Sequence, residues 1–119
     1  MSKTKETSTN FENKQLLIQC CSEVYAIEMI SGQWILSILY GLVGGKLRYG
    51  ELRKRIPEIT ERMLTLQLRK LESNGLVKRT VYAEVPPRVE YELTPSALKL
   101  TPILKQLKDW GEQHKEVME

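Results

Sequence analysis

The stretch Thr60–Gly75, TERMLTLQLRKLESNG, constrains this chain more than any other. Thr60 stands where an N-cap is needed, with a hydroxyl able to accept a bond from a backbone N–H one turn on. Asn74 and Gly75 close the run, because glycine takes the left-handed conformation past a helix end without steric cost. Between these ends Leu64, Leu68 and Leu71 fall on one stripe at helical spacing. At about 100° per residue the opposite face carries Arg62, Leu66, Arg69 and Ser73, with Thr65 at its edge. One face is therefore expected to be buried, while the other presents two guanidinium groups, two hydroxyls and a leucine. Forked donors on the outer face of such a helix suit the major groove of DNA. A solvated surface helix has the same pattern, so the rest of the chain must decide between the two.

The charge distribution favours DNA. The net charge is only +3, but residues 46–88 hold eleven Lys/Arg against five acids. Residues 1–45 and 89–119 are each slightly acidic. A local basic block around a helix is the electrostatic footprint of a nucleic-acid face. With 119 residues, 41% of them hydrophobic and 28% charged, the chain suits one globular domain with one modest core. No apolar run reaches the roughly 20 residues of a membrane span, and no signal-peptide pattern opens the chain. A cytoplasmic protein with no membrane partner is expected. Cys20 and Cys21 are adjacent, so they cannot staple a framework, and the single His114 completes no zinc set. There is no C-x-x-C, no nucleotide-binding glycine loop and no His-Glu-x-x-His. Neither an enzyme nor a cofactor is expected.

Met1 to about Asn13 is polar and aperiodic, which predicts a disordered arm over 1–13 ahead of a single domain over 14–119. Leu16, Leu17 and Ile18 fit either the start of a helix or an extended arm on a partner. Ser22–Ile30 reads as a helix with Val24, Ile27 and Ile30 inward, broken by Ser31-Gly32. Gln33–Val43 reads as a second helix, with Trp34 as a core anchor. Gly44-Gly45 marks a turn, and Leu47-Arg48-Tyr49 a short strand. Gly50–Ile56 is a brief helix stopped by Pro57. Together with the helix after Thr60 it makes a helix-turn-helix. Leu76–Tyr82 and Arg88–Leu93 then read as two strands about a tip containing Pro86 and Pro87. Two strands in that place form a β-wing. Thr94-Pro95 caps a last helix running to near Val117, with a kink expected at Pro102. Its stripes, Leu100/Leu104/Leu107/Gly111 and Ile103/Leu107/Trp110/His114, read as a dimer interface, the other option being a fold back onto the domain itself.

These motifs, in this order and spacing, resemble the HxlR-type winged helix-turn-helix transcription regulators, which have a MarR-like winged helix. The resemblance runs from Cys21 to about Glu112. It rests on Cys21 thirteen residues before Trp34, on Arg48-Tyr49-Gly50-Glu51-Leu52, on Arg62-Met63-Leu64-Thr65 and on Leu71-Glu72 with Gly75-Leu76-Val77. The wing Val85-Pro86-Pro87-Arg88-Val89-Glu90-Tyr91 is its most specific motif, followed by Leu93-Thr94-Pro95. The resemblance implies a mainly α fold with a small β-wing and with N- and C-terminal dimerisation helices. It implies a homodimer that binds double-stranded DNA at an inverted-repeat operator, one recognition helix per subunit in the major groove. Arg62, Thr65, Leu66 and Arg69 would meet base edges or nearby phosphates. Thr60 and Arg48 would bind phosphate, and Arg88 would serve the wing as a contact to the DNA backbone.

The chain departs from the family at three places. Gln33 stands where a lysine is usual, Leu66 where a polar residue is usual, and Ala97 where a glycine is usual. Leu66 suits a thymine methyl group as well as an incidental exposed site. Cys21 occupies the position of a cysteine that some relatives use to sense an oxidant or electrophile. A small buried thiol with a packing role is the plainer alternative. The other functional class open to this pattern is a winged-helix protein-interaction module without DNA binding, against which the basic block argues.

Overall fold

A computed structural model describes residues 12–16 and 19–119. Residues 1–11 of the expected arm, and Leu17 and Ile18 of the short apolar run, lie outside the described residues. Residues 12–16 and 19–20 are helical. The chain divides into two units, Met1–Gln33 and Trp34–Glu119.

The first unit holds helix α1, Ser22–Ile30, with the bounds read from its sequence. Cys21 is its N-cap residue, and the Cys21 carbonyl accepts the N–H groups of Val24 and Tyr25 at 3.1 and 3.2 Å. The inward placement expected of Ile27 does not hold, since Ile27 is 60% exposed and α1 has no buried residue. Val24 and Ile30 are half-buried, while Tyr25 and Ile27 are exposed.

The second unit opens with α2, Ile35–Leu42, which buries Ile35, Ile38, Leu39 and Leu42. It starts two residues later than expected, because Gly32 at φ 126° leads into a turn over Gln33 and Trp34. Trp34 stands at the N-cap of α2 and is half-buried, so it adjoins the fully buried core without being part of it. Strand β1 is Leu47–Arg48, and Tyr49 starts helix α3, Tyr49–Arg55, where a strand residue was expected. Helix α4, Glu61–Ser73, follows Thr60 and ends where Gly75 adopts φ 75°. Strands β2, Val77–Tyr82, and β3, Arg88–Leu93, form the hairpin. β1 adds to its far side, giving an antiparallel sheet in the order β1-β3-β2.

The terminal helix is broken, not merely kinked, into α5, Pro95–Leu98, and α6, Thr101–Met118. The interruption lies upstream of Pro102 for a simple reason. The N–H that Pro102 lacks would have bonded the carbonyl of Leu98, where α5 ends. Thr94 caps α5 by accepting the Ala97 N–H at 3.2 Å and also donates to the Gly75 carbonyl at 2.7 Å. Of the two stripes expected on this helix, Leu104 is buried, while Ile103, Leu107 and Trp110 are exposed. The Tyr40 hydroxyl donates to the Leu104 carbonyl at 3.3 Å, fastening α6 to α2.

The core joins α2 with Leu52, Ile56, Ile59, Leu64, Leu68, Leu71, Leu76, Val77, Leu93, Ala97 and Leu104. Helices α2 and α3 approach so closely that a Cβ on Gly41 would lie 2.9 Å from Leu52 Cδ1. Leu52 is fully buried, so moving its side chain displaces core neighbours. Overpacking costs about 1–3 kcal/mol, against at most about 1 kcal/mol of helix propensity gained over glycine. Gly41→Ala is expected to lower stability by about 1 kcal/mol. Gly50→Ala, with no neighbour within 4 Å of the new Cβ, should instead raise it by about 0.5 kcal/mol. Thermal melting of the two variants at one protein concentration checks the opposite signs.

Candidate nucleic-acid interface

Helix α4 carries the site. The Thr60 hydroxyl accepts the Met63 N–H at 3.1 Å, and the Thr60 carbonyl accepts that of Leu64 at 3.0 Å. This is the cap expected of Thr60, and it leaves the residue exposed at the helix start. Leu64, Leu68 and Leu71 are 0%, 2% and 0% exposed, so the leucine stripe is wholly inside. Arg62, Leu66 and Arg69 are exposed on the outer face and Thr65 is half-buried at its edge.

Tyr49 sets how α4 sits on α3. Its hydroxyl donates to the Glu61 carbonyl at 2.9 Å and lies 3.1 Å from the Thr65 hydroxyl. With the Tyr49 proton directed at Glu61, the Thr65 hydroxyl donates to Tyr49 and keeps its lone pairs for an incoming donor. Arg53 bridges from α3 to the Glu61 carboxylate at 2.9 Å. That carboxylate also lies in the first turn of α4, where the helix dipole favours negative charge. The turn between the helices is tight enough that Glu58 takes φ 71°, unusual for a residue other than glycine.

Arg48 and Arg88 lie on the sheet. Arg48 is the N-cap residue of α3, its backbone N–H donating to the Glu51 carboxylate at 2.8 Å while its side chain stays exposed. Arg88 is placed in the wing, as expected, but its guanidinium already has partners there. It lies 3.3 Å from the Glu84 carboxylate, 3.9 Å from that of Glu90, and 4.1 Å over the Tyr82 ring. Nearby, Tyr82 and then Glu92 raise the pKa of Lys46 above the ordinary lysine value.

Two grooves flank the outer face of α4. One is lined by Tyr49, Glu61, Arg62, Thr65, Leu66 and Arg69. The other runs between α4 and the sheet and adds Glu72, Arg79 and Tyr91 to Tyr49, Thr65 and Arg69. Arg62, Thr65, Leu66 and Arg69 are thus brought together, with Thr60 at the head of the same helix. Arg48 and Arg88 line neither groove. Tyr49, Arg79 and Tyr91 were not foreseen as site residues. The alternation of β2 and β3 holds the missing signal, since Arg79 and Tyr91 fall in phase with Val77 and Leu93, on the face that packs toward the core.

A short helix, a turn, a capped helix with cations outward and a three-stranded wing define a winged helix-turn-helix. The chain belongs to the HxlR-like helix-turn-helix family, whose model matches residues 29–119. It is a transcriptional regulator and not an enzyme. The HTH-type transcriptional regulator YybR of Bacillus subtilis (strain 168) is 46% identical over 99 residues, covering 83% of this chain and 79% of YybR. Among solved structures, the redox regulator HypR in its oxidised form is 47% identical, with a TM-score of 0.70 over 78% of this chain and 96% of HypR. The reduced form of the transcriptional regulator YodB from B. subtilis is 31% identical, with a TM-score of 0.73 over 79% of this chain and 92% of YodB. No helix among the described residues is long and apolar enough to cross a membrane.

Tyr49→Phe keeps the ring and removes both hydroxyl contacts. The expected cost is about 1 kcal/mol of stability, with a loosened α3–α4 angle. Faster amide exchange in the first turn of α4, with unchanged circular dichroism, would confirm this role for Tyr49.

Proposed function

We propose that this regulator binds duplex DNA as a homodimer, at an inverted-repeat operator, with one α4 per subunit in the major groove. The observation that supports the reading is the division of α4 into a buried leucine face and an outer face with Arg62, Leu66 and Arg69 exposed. None of these three side chains is needed for packing, and the two guanidiniums suit guanine edges or phosphates. Thr60 and Arg48 stand exposed at the heads of α4 and α3, where phosphate contacts position a recognition helix. Arg88, held among Glu84, Glu90 and Tyr82, serves the wing by fixing its shape.

The dimer is proposed to form through the terminal helices. Ile103, Leu107 and Trp110 are 53%, 47% and 63% exposed on α6, a patch that a lone domain leaves in water. The site of action is the cytoplasm, where the DNA is. A two-fold dimer predicts half-site centres one DNA turn, roughly 34–36 Å, or a multiple of it apart. Selection from random duplexes should return sites with a dyad, and sites without one would reject the dimeric reading. Arg62→Ala is expected to cost roughly 1–3 kcal/mol on the selected site and to relax preference at one base per half-site. An equal loss on every duplex would make Arg62 a phosphate contact only.

Redox regulation is part of the proposal. HypR is described as a redox regulator in oxidised and reduced forms. Cys21 is half-buried at the head of α1 and Cys20 is exposed. An electrophile that alkylates the Cys21 thiol, or an oxidant such as diamide that couples it to a second thiol, would add bulk or a crosslink at that helix end. Operator binding after quinone or diamide treatment should change in the native chain and in Cys20→Ser, and stay constant in Cys21→Ser. A common response in all three, or none in any, would make Cys21 a packing residue.

A further inference from the structure

The two faces of the wing use their cations differently. On one face Lys78, Thr80 and Tyr82 of β2 stand opposite Glu92, Glu90 and Arg88 of β3. Lys46 lies 3.7 Å from Glu92, and Arg88 lies between Glu84 and Glu90. Charge on this face is largely neutralised within the wing. On the other face Val77, Arg79 and Val81 stand opposite Leu93, Tyr91 and Val89. Val77 and Leu93 are buried, so this face turns toward the core at its base. Arg79 emerges farther along it, exposed, and among the described residues it has no carboxylate within ion-pair distance. It borders the groove of about 490 Å³ between α4 and the sheet, across from Arg69.

The geometry points to this groove as the seat of one DNA backbone phosphate, with Arg79 as the phosphate ligand of the wing. The inference rests on the duplex binding proposed above. A helix lying in the major groove has a phosphate backbone along each flank, and the flank on the wing side of α4 is this groove. A guanidinium fork matches the two free oxygens of a phosphodiester, and an unpaired one has no internal bond to break first. Tyr91, opposite Arg79 on β3, adds a phenolic donor to the lining. Glu72 is the carboxylate of this groove and works against an anion there, leaving the pair of arginines in excess. Arg88, the wing arginine of the family motif, faces away from the groove and is already engaged.

The full chain is titrated with its selected operator and with a random duplex over a series of salt concentrations. Arg79→Gln is expected to weaken both duplexes by about tenfold, as loss of a charge-assisted bond does. It should also shallow the slope of log K against log salt by about 0.9, the value for one phosphate on B-DNA. Arg79→Lys should keep the slope, Arg88→Gln should leave it unchanged, and Glu72→Gln should tighten both duplexes a few-fold. A scan of single methylphosphonates along the operator gives an independent reading. One position per half-site should weaken the native chain and leave Arg79→Gln indifferent. An unchanged slope in Arg79→Gln, or the same methylphosphonate pattern in both proteins, would overturn the assignment of Arg79 while duplex binding stands. Failure of the native chain to bind any duplex would overturn both.

Discussion

Burial of Leu64, Leu68 and Leu71 is the interaction on which the rest depends. These three side chains are almost wholly excluded from water, and each is worth roughly 1.5–3 kcal/mol relative to exposure. That sum fixes the rotation of α4 about its own axis, because turning the helix would put leucines in water. Once the rotation is fixed, the outward direction of Arg62, Leu66 and Arg69 follows without any interaction of their own. Thr60 sets where the helix begins, and Tyr49 sets its angle to α3. The exposed cationic face is in this sense a by-product of how the core packs.

The helix-turn-helix was legible because its signals are local. A threonine cap, a leucine repeat and a terminal glycine all act within one turn of the residues they organise. The β2–β3 hairpin was legible for the same reason, with alternation in Arg88–Leu93 and prolines at the tip. The features that were missed divide between short-range signals and distant partners. Tyr49 starts a helix because Arg48 and Glu51 close its first turn, and its hydroxyl then reaches a residue twelve positions on. Arg79 lines the groove beside α4 only because the sheet register places it there. The break at Leu98 was displaced from Pro102 because the proline acts on a carbonyl four residues back.

The wing shows how one hairpin combines two environments. Period-two alternation sends Lys78, Thr80 and Tyr82 to one side and Val77, Arg79 and Val81 to the other. Cross-strand pairs on the first side set Lys78 against Glu92 and the Tyr82 ring against the Arg88 guanidinium, which holds the hairpin in register. The second side borrows the hydrophobic core at its root and reaches solvent toward the tip, where Val81 is 52% exposed.

The separation of the two faces of α4 also bears on how such a regulator diverges. Arg62, Leu66 and Arg69 can be exchanged with little thermodynamic consequence, since surface substitutions usually lie within about 0.5 kcal/mol of neutral. Thr65 is less free, because its hydroxyl is joined to Tyr49. A duplicated copy of this gene can therefore change the outer face of α4 at three codons while the fold stays above its stability threshold, whereas position 65 is tied to residue 49.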